Sequence, residues 1–79
     1  MQSFFERRGA RLDTSLPSVR HIQNLIRNRA VVSVQLNSGM VLEGRIEWQD
    51  NNFVALRQDE QRPLLLLNRD AIAVLRALR

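Results

Sequence analysis

The 79-residue sequence predicts a mainly β domain, with one N-terminal α-helix followed by five short antiparallel strands in a strongly bent sheet, an open barrel. Three observations predict it. Apolar residues recur at helical spacing from Val19 to Ile26 and then switch to strict alternation at Val32. Turn-forming clusters, Asn37-Ser38-Gly39, Asp50-Asn51-Asn52 and Asn68-Arg69-Asp70, punctuate the segments that follow. Gly44 interrupts the longest of these segments, where a residue with no side chain marks a bend or bulge that lets a long strand wrap a small core.

Residues 1–14 mix charges with Gly9 and keep no period, so they read as a flexible arm whose bulky apolar side chains are Phe4 and Phe5; the folded domain is expected over 15–79. Pro17 has the fixed φ suited to a first helical turn, and Val19, Ile22, Leu25 and Ile26 make one apolar stripe of a helix over about 17–28. His21 borders the stripe, and the opposite face carries Arg20, Gln23, Asn24 and Arg27. Strands are expected over about 31–36, 40–49, 53–57, 64–67 and 71–75. In the first, Val32, Val34 and Leu36 alternate with Ser33 and Gln35. In the second, Met40, Leu42, Gly44, Ile46 and Trp48 share one face, with Val41, Glu43, Arg45 and Glu47 on the other.

The last two strands are apolar on both faces: Leu64, Leu65, Leu66 and Leu67, then the run around Ile72 and Val74. A domain of this size has one inside and cannot cover both faces of both strands, and the helix stripe is too narrow to do so. Exposed apolar edges are tolerable when identical copies close a ring through the same contact, so a cyclic homo-oligomer is expected.

Composition narrows the function. All 12 basic residues are Arg, against 8 acids, for a net charge of +4. Arg offers a planar fork that suits phosphate and stacks on bases, although coding-sequence bias is the better explanation of the missing Lys, so the charge has to be read by position. No Cys and a single His exclude a disulfide frame or a zinc cluster, and no Gly-rich phosphate loop or paired nucleophile and base is visible, so an enzyme is the poorest reading. The carboxylates Glu43, Glu47 and Asp50 are explained by solvent exposure without a metal. No apolar run approaches the ~18 residues of a membrane span, and the first residues lack a signal-peptide core, so a cytoplasmic protein with no membrane partner is expected.

The stretch Val32-Ser33-Val34-Gln35-Leu36-Asn37-Ser38-Gly39-Met40-Val41-Leu42-Glu43-Gly44-Arg45-Ile46-Glu47 resembles the first Sm motif of Hfq, the bacterial RNA chaperone, which reads approximately V-S-I-Y-L-x-N-G-x-x-L-x-G-x-I-E. Arg69-Asp70-Ala71-Ile72-Ala73 stands where that family has K-H-A-I-S. Leu16-Pro17-Ser18-Val19-Arg20 and Trp48-Gln49-Asp50 look most like the cyanobacterial branch. The likeness spans roughly residues 16–76. It implies the Sm-like fold, a homohexameric ring in which the fourth strand of one subunit pairs with the fifth of the next, no cofactor, and binding of small regulatory RNA or mRNA in post-transcriptional regulation. The subunit interface would then use Leu64, Leu65, Leu66, Leu67, Ile72 and Val74.

Carried over by position, the three RNA surfaces of the family fare unevenly. On the proximal face, which takes U-rich ends, the expected Gln-Phe pair is Asn51-Asn52 and the Lys-His pair is Arg69-Asp70. Asn52 removes a stacking platform, and Asp70 puts a carboxylate where an anion should sit. A one-residue gap would align Phe53 with the stacking Phe, whereas the ungapped alignment keeps strand lengths matched. On the distal face, which takes A-rich RNA, Gln35 replaces a Tyr and Val41 a basic residue. Met40 keeps the frame, and Glu43 is anionic. On the lateral rim Arg27 and Arg29 are retained, Ile26 replaces the first Arg of the cluster, and Arg20 extends the patch two turns earlier. The resemblance thus implies an RNA chaperone ring with diverged faces and weakened affinity. The competing reading is a scaffold ring that recruits a partner protein with little RNA binding. A DNA-binding module is a distant third, since no helix-turn-helix spacing is visible.

Overall fold

The structure, a computed structural model, describes residues 12–78; most of the arm expected over 1–14, with Phe4 and Phe5, lies outside them. Helix α1 (Pro17–Arg27) leads into strands β1 (Val31–Leu36), β2 (Val41–Gln49), β3 (Phe53–Arg57), β4 (Leu65–Asn68) and β5 (Ile72–Ala77), with a single 3-10 turn, Arg69–Ala71, between the last two. All pairings are antiparallel, in the order β4-β3-β2-β1-β5. The fourth and fifth strands therefore stand at the two ends of the sheet, each with one side unpaired among the described residues.

Pro17 starts α1 without a side-chain cap from Leu16. Upstream, Asp13 accepts hydrogen bonds from the Ser15 amide (2.9 Å) and hydroxyl (2.6 Å), which hold its carboxyl below the usual range. The helix ends one residue before the expected Asn28, because Arg29 turns left-handed at φ 54°. Its amide donates to the Ile26 carbonyl (3.1 Å) and the Ala30 amide to that of Leu25 (3.0 Å), the paired bonds of a Schellman cap. The stripe of α1 closes one side of the core. Leu25 joins Val32, Val34, Ile46, Val54, Leu56 and Leu67, with Ile22 and Ile26 packed against them.

Strand ends differ by one or two residues from the expected ones, for local reasons. Met40 stays in the turn, where its carbonyl accepts from the Leu36 amide (2.8 Å) beside Gly39 at φ 97°. Leu64 precedes β4, which runs instead to Asn68, whose carboxamide caps the 3-10 turn by accepting from the Asp70 amide (2.8 Å). That turn absorbs Ala71, and β5 runs on to Ala77 because Val32 pairs with it.

The larger correction lies in β2. Its alternation breaks between Ile46 and Trp48, where the register against β3 shifts by one residue. A bulge of this kind sends every later side chain to the opposite face. Trp48, expected with the apolar face, is thereby 40% exposed, and Gln49 turns toward the helix. Gly44 does not form the bulge. A Cβ there would collide with the carbonyl of Arg57, so the residue permits close approach of the chain after β3.

Candidate nucleic-acid interface

The expected rim residues are all exposed. Arg20 and Arg27 lie seven residues apart on α1 and so share a face, while Arg29 follows in the cap. Arg27 donates back to the Asn24 side chain (3.2 Å). The negative end of the helix dipole favours cations at Arg27 and Arg29.

Two arginines that sequence reasoning missed stand beside them. Arg45 and Arg57 face each other across β2 and β3, with Val31 next in the row. Arg57 donates through Nε to Glu47 (2.7 Å) and through Nη1 to the Arg62 carbonyl (3.2 Å). The same bond draws the Glu47 carboxyl below its ordinary pKa and raises that of Arg57. Arg62 in turn pairs with Asp59 (3.2 Å). A hollow of about 420 Å³ opens between the helix end and these strands, with Ile26, Arg29, Arg45 and Arg57 among its walls.

Of the expected proximal residues, Arg69 is joined to Gln49. Gln49 Oε1 accepts from Arg69 Nη1 (2.9 Å), while Nε2 donates to the Val19 carbonyl (3.2 Å) and to Gln23 Oε1 (2.9 Å). Arg69 Nη1 also reaches the Asp50 carbonyl (3.2 Å), and its amide donates to the Asn52 carbonyl (2.8 Å). Asp50 Oδ1 accepts from the Phe53 (2.7 Å) and Asn52 (2.8 Å) amides, an Asx turn that lowers its pKa, with Arg69 adding a smaller pull. Asn51, Asn52 and Asp70 are exposed, Arg69 and Phe53 half-buried. The Asn37 carboxamide donates to the Asp70 carbonyl (2.9 Å), tying the 3-10 turn to the β1–β2 turn as well. Arg69 is thus a held side chain, and simple alternation, which puts Gln49 on the solvent side, does not reveal the hub that holds it.

The expected distal residues form part of the sheet's outer face. Val41, Gln35 and Val74 stand in one cross-strand row, and Glu43, Ser33 and Arg76 in the next. Met40, Val41 and Val74 are 57%, 55% and 40% exposed. At the other end of the sheet Trp48, Ala55 and Leu66 form a row that reaches the unpaired edge of β4, and Leu66 is 51% exposed. Of the residues expected between subunits, Leu67 is buried in the chain's own core, and Leu65 and Ile72 pack against it. Leu66 and Val74 face outward, and Leu64 is half-buried.

A helix followed by five bent antiparallel strands that leave the fourth and fifth at opposite ends is the Sm-like fold. The Hfq-related family model matches residues 16–77, and the chain belongs to that family, one of RNA-binding chaperones rather than enzymes. Among solved structures it is similar to an Hfq protein from Anabaena sp., a cyanobacterium, at 35% identity and a TM-score of 0.69 over 78% of this chain and 97% of that one. The structure of the pleiotropic translational regulator Hfq is similar in fold, at 23% identity and a TM-score of 0.73 over 84% of this chain and 97% of that one. No curated protein matches the chain. No helix among the described residues is long and apolar enough to cross a membrane.

Proposed function

We propose that the chain closes into a homohexameric ring by pairing the edge of β4 with the edge of β5 in the next copy, and that the ring acts as an RNA chaperone in post-transcriptional regulation. The observation that carries the reading is the sheet itself: its two edges, unpaired among the described residues, lie at opposite ends of the order β4-β3-β2-β1-β5, each with an exposed apolar residue, Leu66 and Val74. RNA contact rests mainly on the rim, where Arg20, Arg27 and Arg29 would repeat six times around the ring and hold phosphates with little discrimination between bases. Arg69, fixed by Gln49 and Asp50, supplies a cation on the proximal side, with Asn51 and Asn52 as hydrogen-bonding groups and Asp70 opposing it. The distal row offers Gln35 to a base edge but no aromatic platform and no cation beside Val41, so both faces bind more weakly than the rim.

A second reading has its own support. The exposed Met40, Val41 and Val74 around Gln35 make an apolar surface better suited to a protein than to RNA, so the ring would serve as a scaffold for a partner. One experiment separates the two: fluorescence anisotropy of the ring with U-rich and A-rich RNA oligomers near physiological salt, with the mass in solution measured alongside. Composition-selective binding stronger than about 8 kcal/mol establishes an RNA chaperone. Binding that is weak and indifferent to composition leaves the scaffold, and a monomeric mass refutes the ring.

A further inference from the structure

Two local rules are broken at one place on this molecule. Arg29 holds a left-handed conformation, φ 54°, which strains a residue that carries a Cβ. Arg45 stands directly opposite Arg57 in the β2–β3 register, and like charges so placed weaken a ladder. Departures of this kind gather where function opposes stability. Both residues line the same hollow of about 420 Å³, within the ~300–1,000 Å³ range of small-ligand clefts, together with Ile26, Ile46, Arg57 and the carboxylates of Glu47 and Glu60.

The charges in the hollow are unevenly matched. Glu47 holds Arg57 at 2.7 Å, and Glu60 pulls on the same guanidinium, so that cation is neutralised within the chain. Arg29 and Arg45 make no side-chain hydrogen bond or ion pair among the described residues. A guanidinium left unpaired beside a recess is a ready donor of two parallel bonds to an anion. We propose that the hollow seats one phosphate of single-stranded RNA, gripped by Arg29 from the helix end and by Arg45 from β2. The site rests on the RNA reading above and adds to it an anchor, Arg45, that lies on the sheet rather than on the helix rim. A second hollow of about 490 Å³ continues past Arg45, but there Glu43, Asp59 and Glu60 match Arg45, Arg57 and Arg62 in number, whereas the first hollow sets three arginines against Glu47 and Glu60. The surplus of positive charge, and with it the contact to one phosphate, is confined to the first hollow.

The single-phosphate geometry fixes the test. Full-length protein carrying Arg45→Gln is compared with Arg76→Gln, which removes the same charge from another exposed row of the sheet, in anisotropy titrations with a mixed-sequence single-stranded RNA over a range of salt. Arg45→Gln is expected to weaken binding about tenfold, the loss of one charge-assisted contact, and to reduce the slope of log K against log salt by about 0.7, the value for one phosphate of a single strand. Arg76→Gln should leave both within about twofold of the parent by the same reckoning, since it touches no phosphate. Equal weakening by the two variants means that overall charge alone acts, and overturns the proposal. In parallel, inorganic phosphate is titrated into the ¹⁵N-labelled parent protein while the arginine Nε–Hε signals are followed. Shifts at Arg29 and Arg45 with Arg76 unmoved support the seat even if the ring binds no RNA, in which case the RNA reading fails and the seat stands. Absence of those shifts overturns the seat whatever the RNA titrations give.

Discussion

Replacing Gly44 by Ala is the sharpest perturbation the fold offers. Gly44 is buried in mid-β2 opposite Val32, and a methyl group there would strike the carbonyl oxygen of Arg57 and come within 2.9 Å of its carbonyl carbon and 3.1 Å of Gln58 Cα. These obstacles are backbone, so no side-chain rotation relieves them. Overpacking by itself costs about 1–3 kcal/mol, and moving the end of β3 away sacrifices one or two ladder hydrogen bonds at about 1 kcal/mol each. The expected loss is about 3–4 kcal/mol, a large part of the ~4–12 kcal/mol typical of a chain of 79 residues. Urea unfolding followed by circular dichroism measures it, run at two protein concentrations because assembly adds to apparent stability. Gly39→Ala is the control. It sits at φ 97° with nothing within 4 Å, so it suffers backbone strain alone, about 1 kcal/mol. If Gly44→Ala costs no more than Gly39→Ala, the close approach of the chain after β3 is not what Gly44 is for.

Leu56, fully buried in β3, should lose about 2–5 kcal/mol on truncation to Ala in the same urea assay, while the outward-facing Leu66 loses far less in the dissociated chain. Asp50 has a pKa held below its ordinary 3.8 by the Phe53 and Asn52 amides, so the unfolded chain takes up the proton first as pH falls. Its contribution is complete above that ordinary value and is lost on descent through the lower folded one, and Asp50→Asn should flatten this part of a stability-against-pH curve by removing the carboxylate's contribution from its neutral end. Gln49→Leu should cost about 1–2 kcal/mol through loss of its bonds to the helix and to Arg69. In an Arg69→Ala background the cost should shrink, and a double-mutant cycle with no coupling would refute the link.

Much of this architecture was legible because it depends on periodicity. The stripe from Val19 to Ile26 fixes which side of α1 meets the sheet, and the alternation of Val32 and Val34 fixes the inner face of β1. What the period could not reveal was the place where it fails. With unbroken pairing outward from the Asp50 turn, Arg45 would face Gln58. The extra residue between Ile46 and Trp48 brings Arg57 opposite it instead. The bulge therefore creates the arginine pair, exposes Trp48 and turns Gln49 inward, three consequences of one insertion that no residue type in Glu47-Trp48-Gln49 announces. The left-handed Arg29 was hidden for a related reason: the position calls for glycine, and the arginine that stands there reads from sequence as one more rim cation.

The same bulge gives the protein a mechanical link that alternation would forbid. Two of the three proposed RNA-facing regions lie on different elements, the rim on α1 and the proximal cation on the 3-10 turn. Gln49 is hydrogen-bonded to both at once, to Val19 and Gln23 on the helix and to Arg69 beside the turn. Were β2 to keep its period, Gln49 would stand on the solvent side, and Arg69 would retain only the Asp50 carbonyl for its Nη1. A long, flexible side chain with one such tether loses conformational freedom on meeting an anion; one held from two sides has already lost much of it before the anion arrives. The cation proposed for the proximal side is thus preorganised by a residue on a strand whose nominal role is to build the sheet. The helix cannot shift against the sheet without disturbing it.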